Sequence, residues 1–502
     1  TGSEPAHRVR GRPVAVDHEV QVAAGGRAGR AAVADHLATR DIGAAPHGEA
    51  RQVAVGAHHR PAGVPPVVDH DLVAVGAAVP GPDHLAGVGG PDGRAAGRPE
   101  VGAVVQLVDA RDRMRAHPVR GGDPAGDRPE EAARWYERSV TYTENSPHDY
   151  LYLAQMLQQM ERYEEAKEWY SKYNDRMPND SRGWRGMLAT ENYNRLLENP
   201  MRLEVTTVNG LNTPQSDMSP LYFRDGIIFA SDRFVEKYDK TFEWTGNSFY
   251  NMFYAPETSP GSVGEVKLLD GEANFKYHDG PATAYADGNK LIFTRTHTDK
   301  EKVDDDCPRK VVYNLKLVST NYDAEDDEWS DPEEDEFELL NNKDWIVGHP
   351  TLSSNGQRLY FMSDNNDFAG HIGGTDIYVS KWENGRWGYP ENLGKEINTE
   401  GNEKFPLIYN DSILYFSSDA NLGNGGLGGE DIYMAEMGAG GKFENVQNMG
   451  APINSSRDDF GLVIREDEDG VERGYFVSSR PGGQGLDDIY SFQPDLPINL
   501  LI

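Results

Sequence analysis

Leu359-Tyr360-Phe361-Met362-Ser363, a glycine-rich turn, and then Asp376-Ile377-Tyr378 form the phrase on which the fold turns, because the chain repeats it. Leu414-Tyr415-Phe416-Ser417-Ser418 leads in the same way to Asp431-Ile432-Tyr433, and Gly474-Tyr475-Phe476-Val477-Ser478 leads to Asp488-Ile489-Tyr490. Each apolar run is rich enough in β-branched and aromatic residues to be a central strand, and each triplet opens the next strand. Weaker copies stand at Ile227-Ile228-Phe229-Ala230-Ser231 and Leu291-Ile292-Phe293-Thr294, which makes the count five.

An approach strand with a Pro or Gly precedes every copy: Ser219-Pro220, Gly280-Pro281, His349-Pro350, Phe405-Pro406 and Phe460-Gly461. A fourth strand and a loop follow, clearest from Trp387 through Asn392-Leu393-Gly394 to Ile397-Asn398-Thr399. Four strands per unit, repeated radially, predict a β-propeller over residues 201–495. The last copy lacks its own fourth strand. Leu211-Asn212-Thr213 leads to Asp217 with the spacing of Ile397-Asn398-Thr399 to Glu403 and Ile453-Asn454-Ser455 to Asp459. Residues 203–208 are therefore expected to supply the missing strand and close the ring, which removes its free edges. Five blades result, or six if a degenerate one lies in the long second copy between Asp323 and Asp344.

Upstream, Glu130-Glu131-Ala132 with Trp135-Tyr136 recurs as Glu164-Glu165-Ala166 with Trp169-Tyr170, at the tetratricopeptide period. Residues 130–200 are read as tetratricopeptide helical hairpins. Tyr150, Leu153 and Ala154 belong to one helix and Ala166 and Tyr170 to the next, which closes at Pro178. Ala154 and Ala166 permit close crossing while Leu153 and Tyr170 fill the space between. A further unit is expected from Ser181 to Glu198.

Residues 1–129 are of another kind, without Lys, Asn, Phe, Tyr, Trp or Cys. Such a composition buries too little apolar surface to offset the entropy of ordering, so this segment is expected to be disordered or non-native. Nine of the 14 histidines fall here, irregularly spaced, and give no metal site. Residues 496–502 form a tail.

The balance of 49 Lys and Arg against 82 Asp and Glu leaves a net charge of −33, which disfavours nucleic acid. No apolar run is long enough to span a bilayer. Repetition argues that Asp376, Asp431 and Asp488 are architectural, each carboxylate accepting backbone N–H groups, and that Ile377, Tyr378, Ile432, Tyr433, Ile489 and Tyr490 are blade core. Gly-x-Ser-x-Gly, His-Glu-x-x-His and phosphate-loop motifs are absent, and Cys307 lies among acids that blunt it as a nucleophile. The residues give no catalytic, cofactor or metal assignment. Residues 323–338, with 11 acids in 16 positions, read as a solvated loop. The aromatics Tyr238, Phe242, Trp244, Phe249, Tyr250, Phe253 and Tyr254 divide between strand core and a ligand face.

Gly348-His349-Pro350 through Leu359-Tyr360-Phe361, Gly373-Gly374-Thr375-Asp376-Ile377-Tyr378 and Asn392-Leu393-Gly394 through Ile397-Asn398-Thr399 resemble the WD-like, TolB-type periplasmic propeller repeats of Bacteroidota. With tetratricopeptide units in front, residues from about 130 to 492 resemble the OmpA-family envelope proteins that include the PorE-type component of type IX secretion. The resemblance implies a non-catalytic scaffold at the periplasmic face of the outer membrane, with other envelope proteins as partners. In that family a further OmpA-like domain holds peptidoglycan, and no residues for it occur here, so peptidoglycan is expected only through a domain absent from these residues. The alternative is a propeller glycan-binding protein or hydrolase with a carboxylate-lined central pocket.

Overall fold

The computed structural model describes residues 128–143, 145–198, 200–238, 240–242, 245–301, 310–326, 328–467 and 470–495. The expected disordered segment 1–129 lies outside these residues save for Arg128 and Pro129, as do the tail 496–502, Cys307 and Trp244.

Four helices come first: α1 (Pro129–Ser139), α2 (Pro147–Gln159), α3 (Tyr163–Arg176) and α4 (Ser181–Glu198). Local chemistry sets the start of α2. Ser146 Oγ accepts the His148 N–H at 3.3 Å, the Ser146 N–H donates to Asp149 at 3.1 Å, and Pro147 occupies the first turn, where its missing N–H costs nothing. Tyr150, Leu153, Ala154, Ala166 and Tyr170 are buried in one cluster between α2 and α3, and Pro178 is exposed in the α3–α4 connection. At Gly186 a side chain would collide with the Tyr170 ring, so glycine lets α4 cross α3 closely.

The strand β1 (Leu203–Thr207) follows the helices. The first blade contains β2 (Asp217–Phe223), β3 (Gly226–Ser231) and β4 (Asn251–Ser259), with the short β5 (Ser262–Val263) and β6 (Lys267–Leu268) pairing onto β4. The second has β7 (Asp279–Ala284), β8 (Lys290–Glu301), β9 (Lys310–Asp323) and β10 (Glu328–Trp329). In the third, β11 (Val347–Leu352), β12 (Arg358–Ser363) and β13 (Asp376–Glu383) are edged by β14 (Arg386–Trp387) and β15 (Glu391–Asn392). The fourth runs β16 (Glu403–Tyr409), β17 (Ile413–Ser418), β18 (Asp431–Met437) and β19 (Phe443–Asn448). The fifth has β20 (Asp459–Glu466), β21 (Glu472–Ser478) and β22 (Asp488–Pro494), and β1 completes it.

The molecule is thus mainly β, a five-bladed propeller with a small helical part. β1 pairs antiparallel with β22, Leu203 opposite Pro494 and Thr207 opposite Tyr490, so a strand from the front of the propeller sequence closes its last blade. The first strands neighbour one another in a ring, β2 to β7, β11, β16, β20 and back to β2. The alternative of six blades does not hold: the described residues between Asp323 and Asp344 form only the edge strand β10 and a short 3-10 turn.

Each first strand carries a bulge at a left-handed residue: Ser219 (φ 56°), Gly280 (100°), His349 (51°), Phe405 (48°) and Gly461 (62°). The approach-strand Pro and Gly signals mark these bulges, where the strand bends and skips a pairing. Where the first strands of three consecutive blades meet, the His349 ring stacks on Phe405 at 3.9 Å and Phe405 lies 4.8 Å from Phe460. All three are buried.

The acidic segment 323–338 departs from a solvated loop. Trp329 and Phe337 are buried, Phe337 packing with Leu340 and Leu317 in the core between the second and third blades. The acids Glu336, Glu334 and Glu338 pair with Lys290, Lys316 and Arg386 at 2.7, 3.3 and 2.7 Å. Two aromatic anchors spaced eight residues apart override the charge of the residues between them, because buried ring area outweighs the modest repulsion of exposed carboxylates.

The helices are seated on the glycine-rich connection between β17 and β18. Gln158 is fully buried, donating to Asn421 Oδ1 at 3.0 Å and to the Gly426 carbonyl at 3.2 Å, while accepting from Tyr170 Oη at 2.6 Å. Tyr163 Oη donates to the Leu427 carbonyl at 3.1 Å, and Ser181 N–H donates to Glu400 at 3.3 Å. Gly425 combines φ of 108° with an approach to Ala189 so close that a Cβ would lie 3.0 Å from its Cα, which no other residue tolerates.

Candidate functional site

The recurring triplets build blades. Asp376 accepts the N–H of Ile372 at 2.7 Å and of Gly373 at 3.3 Å, and Nδ2 of Asn392 at 2.8 Å. Asp431 accepts the Leu427 N–H at 2.8 Å, and Asp488 those of Gln484 at 2.6 Å and Gly485 at 3.1 Å. Burial pushes all three carboxyls above the usual carboxylate range, and these hydrogen bonds pull the other way. Ile377, Tyr378, Ile432, Tyr433, Ile489 and Tyr490 are buried beside them. None of the nine residues lines the cleft described below.

Five asparagines, unread in the sequence as a set, complete this device. Asn398 Oδ1 accepts the Ile377 N–H at 2.8 Å while its Nδ2 donates to the Ile377 carbonyl at 2.9 Å. Asn274, Asn341, Asn454 and Asn212 bracket Met252, Leu317, Ile432 and Ile489 in the same two-armed way. The signal was present, since Asn212, Asn398 and Asn454 stand inside the phrases that mark ring closure. Asp232, Asp364 and Asp419, which follow the strand-ending serines, were also missed; they accept the N–H of Ser216, Ile346 and Asn402.

A cleft of about 140 Å³ lies at the seam where the fifth blade meets the first. Glu204, Tyr222, Glu257, Arg473, Tyr475 and Gln493 are among its lining residues. Tyr475 Oη donates to Glu257 Oε1 at 2.7 Å, and Arg465 pairs with Glu257 Oε2 at 2.6 Å. The Arg465 guanidinium sits 4.2 Å from the Tyr222 ring, whose own centroid is 5.3 Å from that of Tyr475. Gln493 Nε2 donates to Glu204 at 2.9 Å, and Arg473 pairs with Asp467. Burial pushes the Tyr222 and Tyr475 hydroxyls well up, Glu257 adding to the effect on Tyr475, so both phenols stay protonated at neutral pH and act as donors. Tyr475 is itself buried and Arg465 covers part of the half-buried Tyr222, so the cleft offers chiefly planar carboxylate, guanidinium and amide groups beside Tyr222. Its residues come from β1, β2, β4, β21 and β22, which is why no local motif announced it.

The first-blade aromatics divide. Phe249 and Phe253 are core, and Tyr254 Oη donates to Asp225. Phe242, Phe249 and Tyr250 surround His278 with centroids at 4.9, 4.8 and 5.3 Å, and burial lowers the His278 imidazole to about 3, so it is neutral. Among the described residues no cluster of His, Cys, Asp and Glu is arranged to hold a metal ion, and no helix is long and apolar enough to cross a membrane.

No family model matches the chain, and no curated protein matches it. Solved structures do. A thermostable family-43 glycoside hydrolase is 15% identical, with 57% of this chain and 92% of that one covered at a TM-score of 0.35. A second glycoside hydrolase is 10% identical over 61% and 96%, at 0.38. A family GH32 β-fructofuranosidase from Bombyx mori is 10% identical over 60% and 65%, at 0.33. At such identities the likeness is one of fold alone. The expectation that the chain is not an enzyme does not stand: it rested on missing sequence motifs, and the paired carboxylates of glycoside hydrolysis need no local motif, while the solved structures of similar fold are mostly glycoside hydrolases.

Proposed function

We propose that the chain recognises a saccharide in the seam cleft. The carrying observation is the joining of the half-buried Tyr222 to the hydrogen-bonding groups of Glu204, Glu257, Arg473 and Gln493 in one concave site. Sugars present many hydroxyls along with apolar ring faces, and this lining answers the hydroxyls with its polar groups and an apolar edge with Tyr222. The volume is below the roughly 300–1,000 Å³ of pockets for drug-sized ligands, so the cleft suits one sugar ring or the end of a glycan. Glu204 and Glu257 are the carboxylates available there for acid–base chemistry.

The test is calorimetric titration of the chain with a panel of neutral and acidic oligosaccharides, with an assay for released reducing ends alongside. Saturable binding that Tyr222→Ala and Glu257→Gln each weaken tenfold or more, about 1.4 kcal/mol, supports the reading. Absence of binding across the panel, or binding that both variants leave unchanged, removes it. Reducing ends lost in Glu257→Gln would extend recognition to hydrolysis.

A second reading, protein binding at the envelope, follows from the resemblance to periplasmic propeller repeats. Support comes from the helices, which the propeller holds firmly while Trp135 and Trp184 stay 53% and 45% exposed. Tryptophans of that exposure are common anchors of protein interfaces. Crosslinking from these two positions in envelope extract, set against Trp135→Ala and Trp184→Ala, tests it.

A further inference from the structure

We propose that the first blade carries a docking site for a short acidic segment of a partner protein, built from Lys240, Lys276, Tyr277 and Phe275. This site is separate from the seam cleft and does not depend on the saccharide reading.

Blade one departs from the common pattern here. Its β3–β4 connection, residues 232–250, is longer than the corresponding connections 364–375, 419–430 and 479–487. Tyr238 Oη ties it to the neighbouring loop by donating to the Asn274 carbonyl at 2.9 Å. Lys240 and Lys276 then stand over one ring, their Nζ atoms 5.4 and 5.3 Å from the Tyr277 centroid. The two ammoniums are consequently no more than about 11 Å apart, close to a Debye length of ~8–10 Å at physiological salt. Lys276 also lies 5.0 Å from the Phe275 ring, which is 42% exposed.

Both lysines are exposed and neither makes an ion pair among the described residues. Lys237, nearby on the same connection, differs in feeling Glu272 and Glu328. Two ammoniums gathered at one ring add their positive potentials, and an incoming pair of carboxylates is drawn to both. An ammonium over a ring attracts anions as a point charge, so the carboxylates of the segment need no bidentate geometry. The surrounding charge decides the size of the ligand. A short segment meets chiefly the charges within a Debye length, Lys240 and Lys276 foremost with Glu272 nearby, whereas a long polyanion or a second copy meets the −33 of the chain. The exposed Phe275 ring adds an apolar contact, so the matching segment has Asp or Glu on either side of an apolar residue.

The test uses fluorescence anisotropy with the chain and a short fluorescein-labelled peptide of glutamates around one phenylalanine. Its glutamine counterpart and dextran sulfate serve as the other probes. The acidic peptide should bind, lose affinity as salt rises, and bind at least tenfold more weakly to the doubly reversed Lys240→Glu, Lys276→Glu chain. The Lys240→Arg, Lys276→Arg chain should retain binding, and equal melting temperatures of all three chains show that the change is not one of folding. Equal binding of the glutamate and glutamine peptides, no binding of either, or an unaffected charge-reversed chain overturns the proposal. Tighter binding of dextran sulfate than of the peptide also overturns it, in favour of a general polyanion surface.

Discussion

Asn212 holds Ile489 across 277 residues of sequence with both arms of one carboxamide. Oδ1 accepts the Ile489 N–H at 2.9 Å and Nδ2 donates to its carbonyl at 2.9 Å. Four other asparagines do the same inside their own blades, but at the seam the bond also joins the two ends of the ring. Asn212→Ala leaves a buried donor and a buried acceptor unpaired, at about 1–3 kcal/mol each. Urea unfolding should register that loss, and hydrogen exchange should show β1 and β22 opening before the other strands.

Glu403 is fully buried, and burial raises its carboxyl from 4.5 to about 8 against the opposing pull of Thr399 and Ser418. The folded chain keeps this proton where the unfolded chain has released it. The associated stability is therefore complete below about pH 4.5 and declines as pH rises toward 8. Asp232 and Asp279, each raised to about 6, act with the same sign over a narrower window. Glu403→Gln should flatten part of the fall in melting temperature between pH 5 and 8. An unchanged profile would show that Glu403 is ionised in the fold.

Gln158 joins the helices to the fourth blade through two buried hydrogen bonds and accepts a third from Tyr170 of α3. Gln158→Leu should separate the single melting transition into a helical one and a propeller one, followed by circular dichroism at helix and strand wavelengths. Gly425→Val, which places a branched side chain against Ala189, should have the same effect by steric means.

Phe337 sits in a segment of 11 acids and yet is buried. Phe337→Ala should destabilise the chain by about 3–5 kcal/mol, the usual cost of removing a core aromatic. A change below about 0.5 kcal/mol in urea unfolding would return this segment to the solvated surface.

The propeller was legible because every blade meets the same demands in the same residues. Asp376-Ile377-Tyr378 and its copies recur, and residues 203–208 fit the empty place in the fifth blade, so the ring and its closure followed from spacing. Burial of Trp329 and Phe337 was not legible, since local composition reports the charge around a ring and not the core it reaches. Nor was the seat of Gln158, a polar side chain whose partners Asn421 and Gly426 lie more than 260 residues away. The seam cleft was hidden for a related reason. Glu204 and Glu257 become neighbours of Arg473 only after the ring has shut.

The latch between β1 and β22 also sets an order of events during synthesis. At ~5–20 residues per second, on the order of half a minute passes between the ribosome making Thr207 and making Asp488. For that interval the earlier strand has no mate, and the unsatisfied edge of the growing sheet needs shelter from neighbouring chains. A factor that shields nascent β1 would then govern yield while leaving the finished molecule unchanged.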